Sequence, residues 1–342
     1  MFGSDNQAGA HPKVLAAMAE ANHGRCGSYG DDPWTQRAHD LLADTFETRD
    51  FDAYFVATGG AANGLALSAL CPSWAAVLSH PHAHVLEDEG NGPEFFTGGA
   101  RHIGLPTQAL LVSPQDLEAA AARHSPDFVH GLQPRVVSLT NLTEAGQAYG
   151  AAHMADVGET CRRLGWRLHV DGARFANAVV ATGASPAELS WRAGVDALSF
   201  GLTKTGAMAL EIMLLFGPAR TQAAAYLRKR AGQLFSKHRF LSAQAIAMLE
   251  KGLWLELAGH ANQMAQRLAH SFAQAQCPLA APAMGNEVFV HLRAGQAHAL
   301  TEAGIGFYPW PTLGADTHRF VTCWQTSDRD IEAVAKALSG AA

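Results

Sequence analysis

The sequence predicts an α/β fold: a large domain with a mainly parallel sheet flanked by helices, then a smaller C-terminal α/β domain. Three observations carry this. Short apolar, β-rich runs alternate with helical stretches through the earlier part of the chain, the pattern of βα units around a parallel sheet. A long helical tract at 241–275 then breaks the alternation, and a strand–helix–strand–helix pattern follows it. Finally, the chain has 342 residues, 48% hydrophobic and 16% charged. That length suits about two domains, and the apolar share excludes a disordered chain.

Taken in order, helices are predicted at 12–22 and 34–47, followed by a strand at 53–57. Thr58-Gly59-Gly60 then leads into a helix-forming stretch. Strands at 75–78, 136–139, 168–170 and 197–200 alternate with helices at 114–123, 152–164 and 219–234. In the tail, strands at 287–292 and 319–324 enclose a helix at 297–303, and a helix at 328–338 closes the chain. No internal repeat or low-complexity linker divides it. The expected division is an N-terminal segment 1–14 that contributes to the site, a large domain 15–240 and a small domain 241–342.

Composition excludes several function classes. Lys and Arg number 25 against 31 Asp and Glu, a net charge of −6, which disfavours a nucleic-acid partner. No uncharged apolar stretch reaches the ~20 residues a membrane span needs; the longest run, 207–217, is short and contains Glu211. The first twelve residues carry neither a basic nor an apolar segment, so no secretory signal is expected. Cys26, Cys71, Cys161, Cys277 and Cys323 are scattered with no C-x-x-C pair, as expected for reduced thiols in a cytoplasmic protein.

Three segments could carry chemistry. In Thr58-Gly59-Gly60-Ala61-Ala62-Asn63 a strand runs into a helix start, where free backbone N–H groups beside a hydroxyl suit a phosphate. The glycines could equally serve the turn alone. In His169-Val170-Asp171-Gly172-Ala173-Arg174 a buried strand ends in an acid, at the strand edge where α/β proteins bind ligands. A helix-capping Asp is the plain alternative. In the neutral stretch around Thr203-Lys204-Thr205-Gly206 a lone lysine sits among apolar and small residues. Held away from solvent, such an amine can attack a carbonyl; otherwise it snorkels from a strand end. Amine, carboxylate and phosphate cradle together meet the needs of one cofactor, pyridoxal 5'-phosphate.

The chain resembles the low-specificity L-threonine aldolases, including the phenylserine aldolases, a pyridoxal-phosphate-dependent family of fold type I. The resemblance spans nearly the whole chain. It rests on Gly3-Ser4-Asp5-Asn6, Tyr29-Gly30-Asp31-Asp32-Pro33, the Thr58–Asn63 loop, His84 with Glu89 five residues on, His169-Val170-Asp171-Gly172-Ala173-Arg174, Thr203-Lys204-x-Gly206 and Arg319-Phe320-Val321-Thr322.

The resemblance implies that Lys204 tethers the cofactor, Asp171 pairs with its ring nitrogen, and His84 lies on its ring face and helps move a proton. It implies that Thr58, Gly59 and Gly60 hold the phosphate. Ser4 and Arg319 would bind the substrate carboxylate, with Arg174 near the same carboxylate or a cofactor oxygen. Tyr29, Glu89 and Thr143 are further candidates, and Lys229 would lie near the site across a subunit interface. The chain departs from the family at Gly60, where Thr is common, and at Thr143, which stands where a His often faces the β-substituent. The insertion-like Gly90–Glu94 departs from the usual helix.

The implied activity is retro-aldol cleavage of L-threonine, L-allo-threonine or phenylserine to glycine and an aldehyde. The implied assembly is a homodimer or homotetramer with shared sites. Rivals are an aminotransferase or β-eliminating activity on the same lysine, and a metal-dependent hydrolase using His80, His82 and His84 on one face of a strand. A non-catalytic binding protein is a third, disfavoured by the intact Lys204. Trp310 and Trp324 read as core packing.

Overall fold

The computed structural model describes residues 2–126 and 128–340. Its centre is a seven-stranded sheet of order β1-β7-β6-β5-β4-β2-β3. The strands are β1 (Phe51–Val56), β2 (Ala76–Ser79), β3 (Arg101–Gly104), β4 (Pro134–Thr140), β5 (Arg167–Gly172), β6 (Ala197–Gly201) and β7 (Glu211–Phe216). All neighbours pair in parallel except β7, which runs antiparallel to both β1 and β6. The carboxyl ends of the other six strands and the first residue of β7 therefore meet at one edge of the sheet. Register fixes the neighbours there: Thr140 lies beside Asp171, Asp171 beside Ser199, and Glu211 beside both Val56 and Gly201.

β6 and β7 are buried at every residue, as expected of central strands covered on both faces. The segment containing β7 looked like a short apolar run in the sequence, and burial on both faces explains why it shows no alternation. The main core packs Phe46 edge-on to Phe200 at 5.4 Å, and Phe200 edge-on to Trp254 at 5.2 Å. No described helix is long and apolar enough to cross a membrane.

The long helical tract is two helices, Arg239–Leu249 and Leu253–Gln274. Lys251 (φ 59°) and Gly252 (φ 70°) adopt left-handed backbone between them, a conformation no α-helix continues through. Side chains up to Ala258 join the core of the large sheet, whereas those from Met264 onward join a second core. The change of core thus falls inside Leu253–Gln274, beyond the boundary expected at 240/241. The insertion-like stretch begins a short helix at Gly92–Thr97, entered through Asn91 at φ 61°.

The second core lies against a three-stranded sheet of order β8-β10-β9, with β8 at Glu287–His291, β9 at Tyr308–Pro309 and β10 at Thr317–Val321. The N-terminal segment docks here. Phe2 N–H donates to Gly306 O at 2.8 Å, Phe2 O accepts from Val321 N–H at 2.8 Å, and the Phe2 ring is buried.

Candidate active site

The carboxyl edge of the large sheet opens into a cavity of about 520 Å³. β5 delivers Asp171 to its floor, only 3% exposed. Its Oδ1 accepts the Ala173 N–H at 3.0 Å and its Oδ2 accepts from Asn63 Nδ2 at 2.9 Å. Asn63 also donates to Glu89 Oε1 at 2.8 Å, and Glu89 in turn pairs with His84 Nδ1 at 3.0 Å. The Glu89 hydrogen bond, opposed by burial and aided by the Asp171 charge, holds the His84 imidazole above its ordinary pKa. His169, two residues before Asp171, is fully buried between the hydroxyls of Ser138 (2.9 Å) and Ser199 (3.0 Å). Burial pushes its pKa down to about 4, so it stays neutral beneath the site.

The helix Gly59–Leu70 points its N-terminus into the same cavity. Thr58 is its N-cap, and its hydroxyl accepts the Ala61 N–H at 3.3 Å. The Gly59 and Gly60 N–H groups, with no intrahelical acceptor available to them, remain for an anion. A Cβ on Gly59 would meet nothing within 4 Å, and one on Gly60 would approach Glu89 Oε2 at 3.5 Å. A phosphate can therefore approach the helix end closely.

Lys204 follows β6 in a turn pinned by Thr203, whose hydroxyl bonds both the N–H (3.0 Å) and the C=O (3.2 Å) of Leu210. It lines the cavity together with Glu211. Burial lifts the Glu211 carboxyl to about 7, against the Thr203 hydrogen bond and the Lys204 charge.

The far end carries the two arginines. Arg174 presents Nε and Nη2 to Asp5 at 2.7 and 3.0 Å, and its Nη1 lies 3.4 Å from Glu287 Oε1. Arg319 Nη1 lies 3.8 Å from the same oxygen, and the guanidinium stacks on Trp310 at 4.3 Å. Arg319 Nε and Trp310 Nε1 are buried donors without an acceptor among the described residues, as at a site built for an anion. The Arg174 fork is filled by Asp5, so less of Arg174 faces the cavity than its sequence position implied. Ser4 lines the cavity while its hydroxyl accepts the Asn6 N–H at 3.2 Å.

Most of the sequence-predicted residues thus converge: Ser4, Thr58, Gly59, Gly60, His84, Glu89, Thr143, Asp171, Arg174, Lys204 and Arg319 share one cavity. Tyr29 and Lys229 do not line it; the Lys229 ammonium sits 5.6 Å from the Tyr29 ring, on a half-exposed tyrosine. His80, His82 and His84 do not share a strand. β2 ends at Ser79, His84 opens a helical turn and faces Glu89, and His80 bonds Ala109 O at 3.0 Å. Among the described residues, the metal-sized group of donors is instead His84, Glu89 and Asp171, already tied together through Asn63.

Sequence reasoning missed Asn63, Glu144, Glu211 and Glu287, and read Trp310 as packing, although it lines the cavity. Of these only Asn63 stood within a quoted motif. Trp324 packs edge-on to His11 at 5.0 Å, outside the cavity.

Comparison with known proteins agrees with this arrangement. The model of the beta-eliminating lyase family matches residues 2–295. A low specificity L-threonine aldolase of Pseudomonas aeruginosa is 42% identical over 97% of this chain and 94% of its own length. One from Pseudomonas sp. (strain NCIMB 10558) is 40% identical over 98% and 95%. The threonine aldolase structure from Leishmania major superposes with a TM-score of 0.92 at 27% identity, covering 99% of this chain and 98% of that one. Cradle, buried acid, lysine and paired arginines, together with full-length likeness at this level, show that the chain belongs to the beta-eliminating lyase family, among the low-specificity L-threonine aldolases.

Proposed function

We propose that the chain binds pyridoxal 5'-phosphate at this cavity and cleaves L-threonine, L-allo-threonine or a related β-hydroxy-α-amino acid such as phenylserine to glycine and an aldehyde. One observation carries the reading. A lysine, a buried carboxylate and a free helix N-terminus line one cavity whose other end holds two unpaired buried donors, the Arg319 Nε and the Trp310 indole N–H. That donor set fits the cofactor: an amine for its aldehyde, an acid for its ring nitrogen and amides for its phosphate. Bound there, the cofactor supplies an electron sink for the pair left on Cα when Cα–Cβ breaks.

The chain's own residues do the rest. Lys204 provides the tethering amine. Asp171, oriented by Asn63 and the Ala173 N–H, keeps a proton on the ring nitrogen through its fixed negative charge. Thr58, Gly59 and Gly60 receive the phosphate at the positive end of the helix. His84 covers the ring face, locked by Glu89. Arg319, with Arg174 and Ser4, takes the substrate carboxylate, for which a guanidinium fork is well shaped.

Two further features follow from this reading. The protein works in the cytoplasm, consistent with five free cysteines. It assembles as a homodimer or homotetramer with shared sites, which suits the exposed Tyr29 beside Lys229. Product analysis tests the function. Glycine and an aldehyde in equal amounts support it, whereas a keto acid indicates transamination or β-elimination. Rates on the three substrates then define the preference.

A further inference from the structure

Glu144 belongs to the loop that follows β4, at the carboxyl edge of the sheet. Its Oε1 accepts two hydrogen bonds, from the His84 N–H at 2.8 Å and the Thr140 hydroxyl at 2.8 Å. Its Oε2 takes none from any described residue. Glu144 lines the catalytic cavity and also a second, small cavity of about 90 Å³, bordered by His80, His82, Leu110 and Leu313. It therefore stands in the wall common to the two. Burial lifts its carboxyl to about 7, against its hydrogen bonds to His84 and Thr140, so both protonation states are accessible near neutral pH.

Most other groups around the cavity have different employment, although Glu89 Oε2 has no partner among the described residues. Asp171 is committed to Asn63 and the ring position, and Glu287 to the two arginines. Glu211 lies on the Lys204 side. Glu89 Oε1 is shared by Asn63 and His84. His84 Nδ1 is tied to Glu89 by that bond, which also raises its pKa. Thr143, where the family often places a His, has a hydroxyl that accepts from Ala145 and Gln147 N–H groups and has no basicity to offer.

We propose that Glu144 accepts the proton of the substrate's β-hydroxyl as the Cα–Cβ bond breaks, a role that rests on the retro-aldol reading above. The O–H electron pair becomes the second bond of the aldehyde carbonyl. The Cα–Cβ pair stays with Cα, for which bound pyridoxal phosphate would supply the electron sink. Glu144 holds one proton, which it returns to water reaching it through the second cavity, while Cα gains one proton as glycine forms. The cycle consumes no net proton.

Glu144→Gln in the holoenzyme separates this role from support of His84. Glutamine still accepts the His84 N–H and the Thr140 hydroxyl but takes no proton. Two rates are compared: aldehyde release from L-threonine, and exchange of a glycine α-hydrogen with D2O, which involves no β-oxygen. The expected result is a loss of about 100-fold or more in kcat/KM for threonine, with glycine exchange within about three-fold of wild type. A second readout needs no cofactor. Isotope-edited infrared spectra of ¹³C-glutamate-labelled protein should show protonated carboxyl absorption titrating near neutral pH, which the variant loses in part while the Glu211 contribution remains. Unchanged threonine cleavage would overturn the proposal. So would parallel loss of cleavage and exchange, which would make Glu144 a prop for His84. A wild-type protein that exchanges glycine hydrogen yet cleaves no β-hydroxy-α-amino acid would overturn both this role and the functional reading.

Discussion

Replacing Asp5 with alanine should loosen the N-terminal segment from the active site. The wild-type carboxylate makes two charge-assisted bonds to Arg174, at 2.7 and 3.0 Å, and accepts a third from Asn286 at 3.1 Å. Removing one partner of a buried ion pair costs about 3–5 kcal/mol, because the other charge is left uncompensated. Here Glu287, 3.4 Å from Arg174, offsets part of that, so the low end, about 3 kcal/mol, is expected. The segment can also escape by peeling away, which exposes Phe2 at a cost of roughly 1.5–3 kcal/mol. Both routes give a loss of similar size.

The assay is urea unfolding of wild type and variant as a function of pH. Burial alone would raise the Asp5 carboxyl, but the Arg174 and Lys204 charges outweigh it and hold it below its ordinary value. A depressed folded pKa gives stability that is fully present above the unfolded value, about 3.9, and is lost as pH falls through the folded value. The gap between the two proteins should therefore be widest at neutral pH and narrow below about pH 4. A loss under about 1 kcal/mol at pH 7, or a gap that ignores pH, would show that the pair does not hold the segment.

Other consequences follow from single residues. Glu211 has the opposite linkage: its folded pKa of about 7 lies above the reference 4.5, so its contribution is full below about 4.5 and is lost as pH rises towards 7. Relative to Glu211→Gln, wild type should weaken over that window by at most about 3 kcal/mol; urea midpoints that stay parallel would contradict this. Gly172→Ala would drive a Cβ to 2.8 Å from Ser199 O and 2.9 Å from Leu198 Cδ1. We expect about 1–3 kcal/mol of destabilisation and weaker cofactor uptake as Asp171 shifts, read by thermal unfolding and cofactor titration. A wild-type Tm would refute the steric argument.

The sequence revealed whatever was local. β5 was legible because an apolar run ends in Asp171-Gly172, and the cradle because Thr58 caps a helix opened by two glycines. β7 was obscure because both its faces are buried, so its residues carry no period. The break at Lys251 was obscure because lysine normally favours a helix, and only Gly252 hints at the left-handed turn. Glu144 and Glu211 are single acids on segments far apart in the chain. Glu144 reaches the cavity on the loop after parallel β4, and Glu211 because β7 runs antiparallel and starts where the other strands end, facts of topology that no local pattern records. Trp310 was misjudged for a similar reason. Its place over Arg319 depends on β9 and β10 pairing, which only the folded second sheet creates.

The decisive experiment adds pyridoxal phosphate to the purified protein, reduces it with borohydride and maps the labelled peptide. A yellow protein that bleaches on reduction and carries its label on Lys204, with no band in Lys204→Ala, is the outcome expected here. A protein that stays colourless, or a label on any other lysine, would contradict the assignment of this cavity.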